Sequence, residues 1–339
     1  MNITKISTAS STAKTRKRAF HPRLFCIICL ALLALLTVLS LFTGRYPLSL
    51  EALLRGDELQ RRGFLNLRFS RTVVGLLGGF ALGVSGFVYQ TVFRNPLASP
   101  DIIGVSSGAS AGAAAGILFL SGSAAVTASA FAGALSAVVI VLLLSALDQT
   151  GRNTSIVLAG IAVHALAQTA LMCLKLTADP ERELASIEYW IMGSLNAVNL
   201  HSLGGNLLLC LLCLILLFLL HRQIILLSGE EGEMKMLGVS VGKLRLLVLL
   251  TATLTVSSVV SLTGLISFVG LLAPHGARLI TRDNRQGTML LGGLLGGILL
   301  LGADILARSV SAVELPVSIF TSVLGAPFLI ALIGRRRAL

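Results

Sequence analysis

An all-α, polytopic membrane protein is the fold class that this sequence predicts, on three observations. Of its 339 residues, 55% are hydrophobic and 12% charged, about half the charged share of a soluble domain. The apolar residues fall in continuous runs of helix-spanning length, not in the short alternating segments of a β-barrel. Glycine is plentiful, at 34 residues, while tryptophan occurs once. That balance suits closely packed membrane helices better than an aromatic-filled soluble core.

At the start of the chain, residues 1–23 form a basic tail with Lys14, Arg16, Lys17 and Arg18, expected to be disordered in the cytosol. The tail and the apolar run behind it mimic a signal peptide. That run, near 24–43, is longer than a signal core and lacks a small-x-small site at its end, so it reads as a retained first helix. Hydropathy places further spans near 70–93, 101–120, 123–147, 154–176, 201–221, 244–264, 267–280, 288–308 and 316–333. The eighth is short enough to be a half-span, and the count is about ten. Residues 24–334 thus form one transmembrane domain, and 335–339 a short second tail.

An even count puts both termini on one side. If that side is the cytoplasm, 18 of the 27 lysines and arginines lie there, as the positive-inside rule expects. The exception is a group in the first outer loop and the start of the second span: Arg45, Arg55, Arg61, Arg62, Arg68 and Arg71. Six positive charges on the less usual side call for a partner. The net charge of +12 does not indicate nucleic acid, because the basic residues punctuate the ends of apolar runs.

Several motifs speak to packing. Gly104, Gly108, Gly112 and Gly116 recur every four residues, which puts a side-chain-free stripe on one helix face for helix packing or a pathway lining. Gly79 with Gly83, Gly292 with Gly296 and Gly293 with Gly297 repeat the device. In 94–101, Pro96 and Pro100 bar helix continuation and Asp101 can cap the next helix. This stretch reads as a tight interfacial turn without chemistry. Tyr189 and Trp190 are placed as an interfacial anchor.

Catalytic and metal chemistry find little support. Gly238, Gly242 and Lys243 sit one residue too close for a phosphate-binding loop, with Leu244 where a Ser or Thr should hold magnesium. No complete loop of that type occurs in the chain, so any ATP dependence belongs to a separate subunit. Cys26, Cys29, Cys173, Cys210 and Cys213 all lie in apolar stretches without histidine beside them, and no metal site is expected. His164, Gln168 and Asp304 are intramembrane polar residues. Without an acidic or histidine ladder they read as interhelical hydrogen bonding rather than a proton relay. His275 reads as structural.

The stretch 229–245 stands apart. It carries Glu230, Glu231, Glu233, Lys235, Lys243 and Arg245 between apolar runs at 201–220 and 246–262. Everything around it suits lipid, while this segment suits contact with something in water.

Taken together, the motifs resemble the FecCD family of ABC-importer permeases, whose members carry iron–siderophore complexes, haem or vitamin B12. The matches run in the family's order: Arg68-Phe69-Ser70-Arg71; Gln90 with 94–100; Gly104-Val105-Ser106-Ser107-Gly108-Ala109; Trp190-Ile191-Met192-Gly193-Ser194-Leu195; Leu237-Gly238-Val239-Ser240-Val241; Ser267-Phe268-Val269-Gly270-Leu271 with Pro274-His275; Ala303 to Arg308; and Glu314-Leu315-Pro316-Val317 with Gly325-Ala326-Pro327. Phe69-Ser70, Leu265-Ile266-Ser267 and Ser318 depart from the usual pattern, all at helix starts.

The resemblance implies a type II importer permease in the bacterial cytoplasmic membrane. It implies a ten-helix subunit that pairs with a second permease, as homodimer or heterodimer, around a central pathway. Two ATPase subunits, which use ATP and magnesium, bind below, and a periplasmic or lipid-anchored binding protein docks above. This chain itself would bind no cofactor. Residues 229–243 become the segment that couples to the ATPase, with Glu230, Glu231, Met236, Leu237, Gly238 and Val239 as its contacts. Arg55, Arg61, Arg62 and Arg308 become candidates for binding-protein docking. Iron(III)–siderophore leads as cargo, with haem or cobalamin as alternatives. A secondary transporter would need titratable residues along its path, and a membrane enzyme a nucleophile–base set; neither is evident.

Overall fold

The computed structural model describes residues 22–44, 55, 57–146, 152–196, 198, 200–229, 234, 236, 238, 240–311 and 313–336. All regular structure among these residues is helical. Helix α1 spans Pro22–Phe42. A short helix α2, Glu58–Gly63, is capped by Asp57, whose carboxylate accepts the Leu59 amide at 2.9 Å. It runs through a π-helical turn, Phe64–Phe69, directly into α3, Ser70–Val92. A 3-10 turn, Pro100–Ile103, precedes α4, Val105–Phe119. Then come α5 (Ser123–Ala146), α6 (Arg152–Thr177), α7 (Glu183–Met192), α8 (Leu200–Leu219) and α9 (His221–Leu226). The chain continues through α10 (Val241–Thr263), α11 (Val269–Thr281), α12 (Gln286–Ser309) and α13 (Val317–Arg336).

Among the described residues, six helical stretches are long and apolar enough to cross a membrane, and three shorter helices are apolar. Helices α3 and α10 form the centre: 78% and 72% of their apolar windows are buried, against 17% for α1. Such central helices need small side chains, because their neighbours cannot be pushed outward. Gly83 shows the constraint. A Cβ there would overlap the Gly292 carbonyl oxygen and come within 3.2 Å of Gly293 Cα, so α3 and α12 meet backbone to backbone.

The same device joins α4 to α5, where Gly108, Gly112 and Gly116 lie against Gly133, Ser129 and Val126. Gly104 does not belong to that stripe. With φ 79° it is a left-handed joint between the 3-10 turn and α4, and its Cβ position faces Val163 and the backbone of His164 on α6. The four-residue periodicity carries over from helix into turn, which is why sequence spacing groups the four glycines together.

Hydrogen bonds sort the connections into two ends of the bundle. At one, the Arg308 end, Ser194 N–H donates to Thr263 O at 2.7 Å and Val317 N–H to Gly193 O at 3.0 Å. At the other, the Arg94 end, the Arg94 guanidinium donates to Leu227 O at 3.4 Å and also to Gly229 O. The stretch 93–104 is not a turn at the Arg94 end alone. It climbs to the middle of the bundle, where Pro100 Cδ is 3.6 Å from the Cβ position of Gly270 and Gly104 faces the centre of α6. Helix α11 also falls short of a full crossing. Its 13 residues reach about 20 Å, against about 30 Å of hydrocarbon, and it starts from Phe268 held at φ 66°.

Candidate functional site

At the Arg308 end a buried charge cluster ties four elements together. Arg71, in the first turn of α3, donates through Nε to Asp304 Oδ1 at 2.7 Å and through Nη1 to Glu314 Oε2 at 3.0 Å. Arg308 lies one turn beyond Asp304 on α12 and pairs with it at 2.8 Å. Asp304 is fully buried and both arginines nearly so, at 4% and 5% exposure. Two positive charges flank one buried carboxylate, with Glu314 offsetting the second.

Arginines also close α1. A helix ends with carbonyls that have no partner in the helix and a partial negative charge. Arg308 donates to Thr43 O at 2.8 Å and to Ser40 O at 3.3 Å, and Arg68 donates to Leu41 O and Phe42 O at 3.1 and 3.0 Å. Ser40 Oγ bonds Thr72 Oγ1 at 2.7 Å, which fixes α1 against α3. A cavity of about 210 Å³ opens beside the cluster, lined among others by Arg68, Arg71, Asn66, Asn196 and Glu314.

The six outer arginines therefore divide. Arg68 and Arg71 have their partners within the chain. Arg308 is a correction: expected at the docking surface, it is buried against Asp304 and the end of α1, because an intramembrane carboxylate draws in its nearest cation. Arg55, Arg61 and Arg62 are exposed, with Arg62 paired to Glu58 at 2.8 Å in a solvated contact. Arg45 lies outside the described residues. Asp304 proves to be an ion-pair centre rather than a hydrogen-bonding residue alone. The signal for it was present in the sequence, since an acid at that depth requires a counterion.

At the Arg94 end the insert leaves α9 through Ser228 and Gly229 and returns at Ser240. Met234 is buried at 2%, while Met236, on a helical position, is 83% exposed. Gly238 has φ 74°, a left-handed turn residue. Glu230, Glu231, Leu237 and Val239 lie outside the described residues. Arg94, itself at φ 50°, holds the start of the insert to the end of α3 through its bonds to Leu227 and Gly229. Nearby, Arg278 of α11 donates to Gln90, to Thr91 Oγ1 at 2.8 Å and to Phe87 O at 3.2 Å, with its guanidinium 4.6 Å from the Phe87 ring centroid. This locks α11 to α3.

Other expected residues find plainer places. His275 packs edge-on to Phe328 at 5.7 Å. Tyr189 donates to Ser194 Oγ at 3.2 Å, and with Trp190 it lines a cavity of about 650 Å³ at the Arg308 end. His164 is exposed at the centre of α6. No group of three or more metal-ligating side chains occurs among the described residues. Asp101 does not cap α4. It sits inside the 3-10 turn and accepts hydrogen bonds from Ser106 and, at 3.5 Å, from Ser99.

A family model described as the FecCD transport family matches residues 32–335. The chain belongs to the FecCD transport family. It is 33% identical over 300 residues to the molybdate import system permease protein of Haemophilus influenzae, covering 86% of this chain and 89% of that one. It is 34% identical over 335 residues to a probable iron chelatin transport system permease protein of Helicobacter pylori, covering 94% and 99%. A solved structure described as an inward-facing, metal-chelate type ABC transporter matches with a TM-score of 0.83 at 32% identity. That match covers 93% of this chain and all of the other. This FecCD member is thus a permease subunit of an ABC importer, a transport subunit whose ATP is hydrolysed by separate ATPase subunits. The cargoes named for its relatives differ from one to the next.

Proposed function

We propose that this subunit carries an iron(III)–siderophore complex across the bacterial cytoplasmic membrane by alternating access. It acts as one of two permeases around a shared pathway, with ten spans and both termini in the cytoplasm. The Arg94 end faces the ATPases. The observation that carries this reading is in the insert: an apolar Met236, 83% exposed, on a charged stretch whose start Arg94 holds to the end of α3. An exposed apolar side chain suits a pocket on a soluble partner. ATP-driven closure of the ATPases moves that segment and tilts the spans behind it.

The Arg308 end faces the binding protein. Arg55, Arg61 and Arg62 remain the docking candidates, through steering and register rather than raw affinity. Binding-protein affinity that drops with added salt, and drops again in Arg61→Glu, is the expected result; affinity indifferent to both removes the assignment.

Iron chelate as cargo is supported by the chelatin and metal-chelate relatives and by the family resemblance, with haem or cobalamin as the alternatives. The test is uptake in a deletion strain under iron limitation, comparing labelled ferric siderophores, haem and cobalamin. Loss of a ferric chelate alone, restored by the wild-type gene, is the expected outcome. Loss of haem or cobalamin uptake alone reassigns the cargo.

A further inference from the structure

We infer that Arg94 is a positioning residue for energy coupling: it makes the last turn of α3 the junction through which movement of the insert reaches α11. The inference rests on the insert as the ATPase contact and names the route by which its motion enters the bundle.

The backbone at this point is unusual. Helix α3 ends at Val92, and the chain then turns back on it. Phe93 N–H donates to Tyr89 O at 2.9 Å, Arg94 N–H to Thr91 O at 3.2 Å and Asn95 N–H to Gln90 O at 3.1 Å. Arg94 occupies the left-handed position of this helix stop, at φ 50°, where glycine is the ordinary residue. A side chain there carries a backbone cost. What the side chain adds is reach. Its guanidinium bonds the Leu227 and Gly229 carbonyls, one just past α9 and the other at the first residue of the insert.

Packing alone does not set how the insert moves. Ile224 and Leu227 are fully buried and keep the end of α9 in the core, but apolar contact is non-directional. Hydrogen bonds are directional, and the two from Arg94 fix the start of the insert to one turn of α3. Arg94 is exposed, so in water these bonds steer more than they stabilise.

The same turn also grips α11. Gln90 and Thr91, buried at 3% and 2%, both accept from Arg278, and Gln90 Nε2 donates to Leu271 O at 3.1 Å. Gln90 thus holds α11 near its start and near its end. Residues 90–94 therefore bond the insert and α11 within about one helical turn. Contiguous contacts supply the route, and coupling across it is a measurable quantity.

The experiment uses the full transporter, permease with partner ATPase, in lipid vesicles, with the five native cysteines replaced by alanine. An environment-sensitive fluorophore is attached at Leu279→Cys, on α11 beside Arg278 and 48% exposed. Its emission is compared with and without ATP plus vanadate for Arg94 intact, Arg94→Gly and Arg94→Lys. Glycine suits the left-handed turn, so that variant removes the guanidinium without straining the chain and should match the parent in heat stability. The ATP-dependent emission change should fall at least about fivefold in Arg94→Gly and be partly kept in Arg94→Lys, which retains a cationic donor. A full change in Arg94→Gly overturns the assignment and leaves Arg94 a helix stop only. Lower heat stability in Arg94→Gly overturns it too, because the guanidinium would then fasten the fold. No change with Arg94 intact, in a complex that hydrolyses ATP, overturns the route through α11. Partner ATPase that does not co-elute with the parent subunit sinks the reading of the insert itself, before any label is read.

Discussion

Asparagine in place of Asp304 is expected to destabilise the subunit by about 3–5 kcal/mol, the usual consequence of removing one partner from a buried ion pair. Arg71 and Arg308 would remain at 4% and 5% exposure with their shared carboxylate gone. The loss spreads beyond the pair. Arg308 also holds the last carbonyls of α1, and Arg71 holds the α12–α13 connection through Glu314. Glu314 is the control, because its side chain is 23% exposed and water can replace its contact. Glu314→Gln should lower stability by about 1 kcal/mol or less. The check is the fraction of protein that stays monodisperse in detergent after graded heating. Near-equal losses in the two variants would show that Asp304 does not fasten the cluster.

The second large effect falls on function and leaves the fold alone. Met236→Asp should reduce ATP-driven uptake at least ~10-fold, about 1.4 kcal/mol or more of partner affinity, with normal abundance and heat stability. Met236 is 83% exposed, so its replacement disturbs little within the chain. A charge at an apolar anchor leaves that charge buried and unpaired when the partner closes over it. Met234, two residues earlier, is buried at 2%; Met234→Asp should instead reduce the amount of folded subunit. Uptake measured beside immunoblot abundance separates the two. Gly238, at φ 74°, adds a third point, since a β-branched residue is strained in that conformation.

How much of this was legible in the sequence differs by element. The long helices were, because continuous apolar runs have few other solutions; the expected spans near 70–93, 244–264 and 288–308 end within three residues of Ser70–Val92, Val241–Thr263 and Gln286–Ser309. The short half-span was legible as well, close to Val269–Thr281. The Arg71–Asp304 pair lay half in view: the acid was conspicuous, but its partner sits 233 positions away in the chain, and no local pattern links them. The re-entrant stretch 93–104 was hidden. Two prolines and a small-residue run look the same in an interfacial turn as in a segment that climbs into the bundle. Only the contacts of Pro100 and Gly104 with α11 and α6 tell them apart. Arg308 was misplaced for a related reason, since sequence gives its position on the helix and not which way the helix faces.

Reconstitution into lipid vesicles with the partner ATPase and binding protein is the most direct test of the central claim, that this subunit couples transport to a separate ATPase. Labelled ferric chelate uptake is followed with ATP present, with ATP omitted, with ionophores collapsing all ion gradients, and with Met236→Asp. Uptake that needs ATP, persists under ionophores and fails in the variant is the predicted result. Uptake that continues without ATP and stops under ionophores would contradict it.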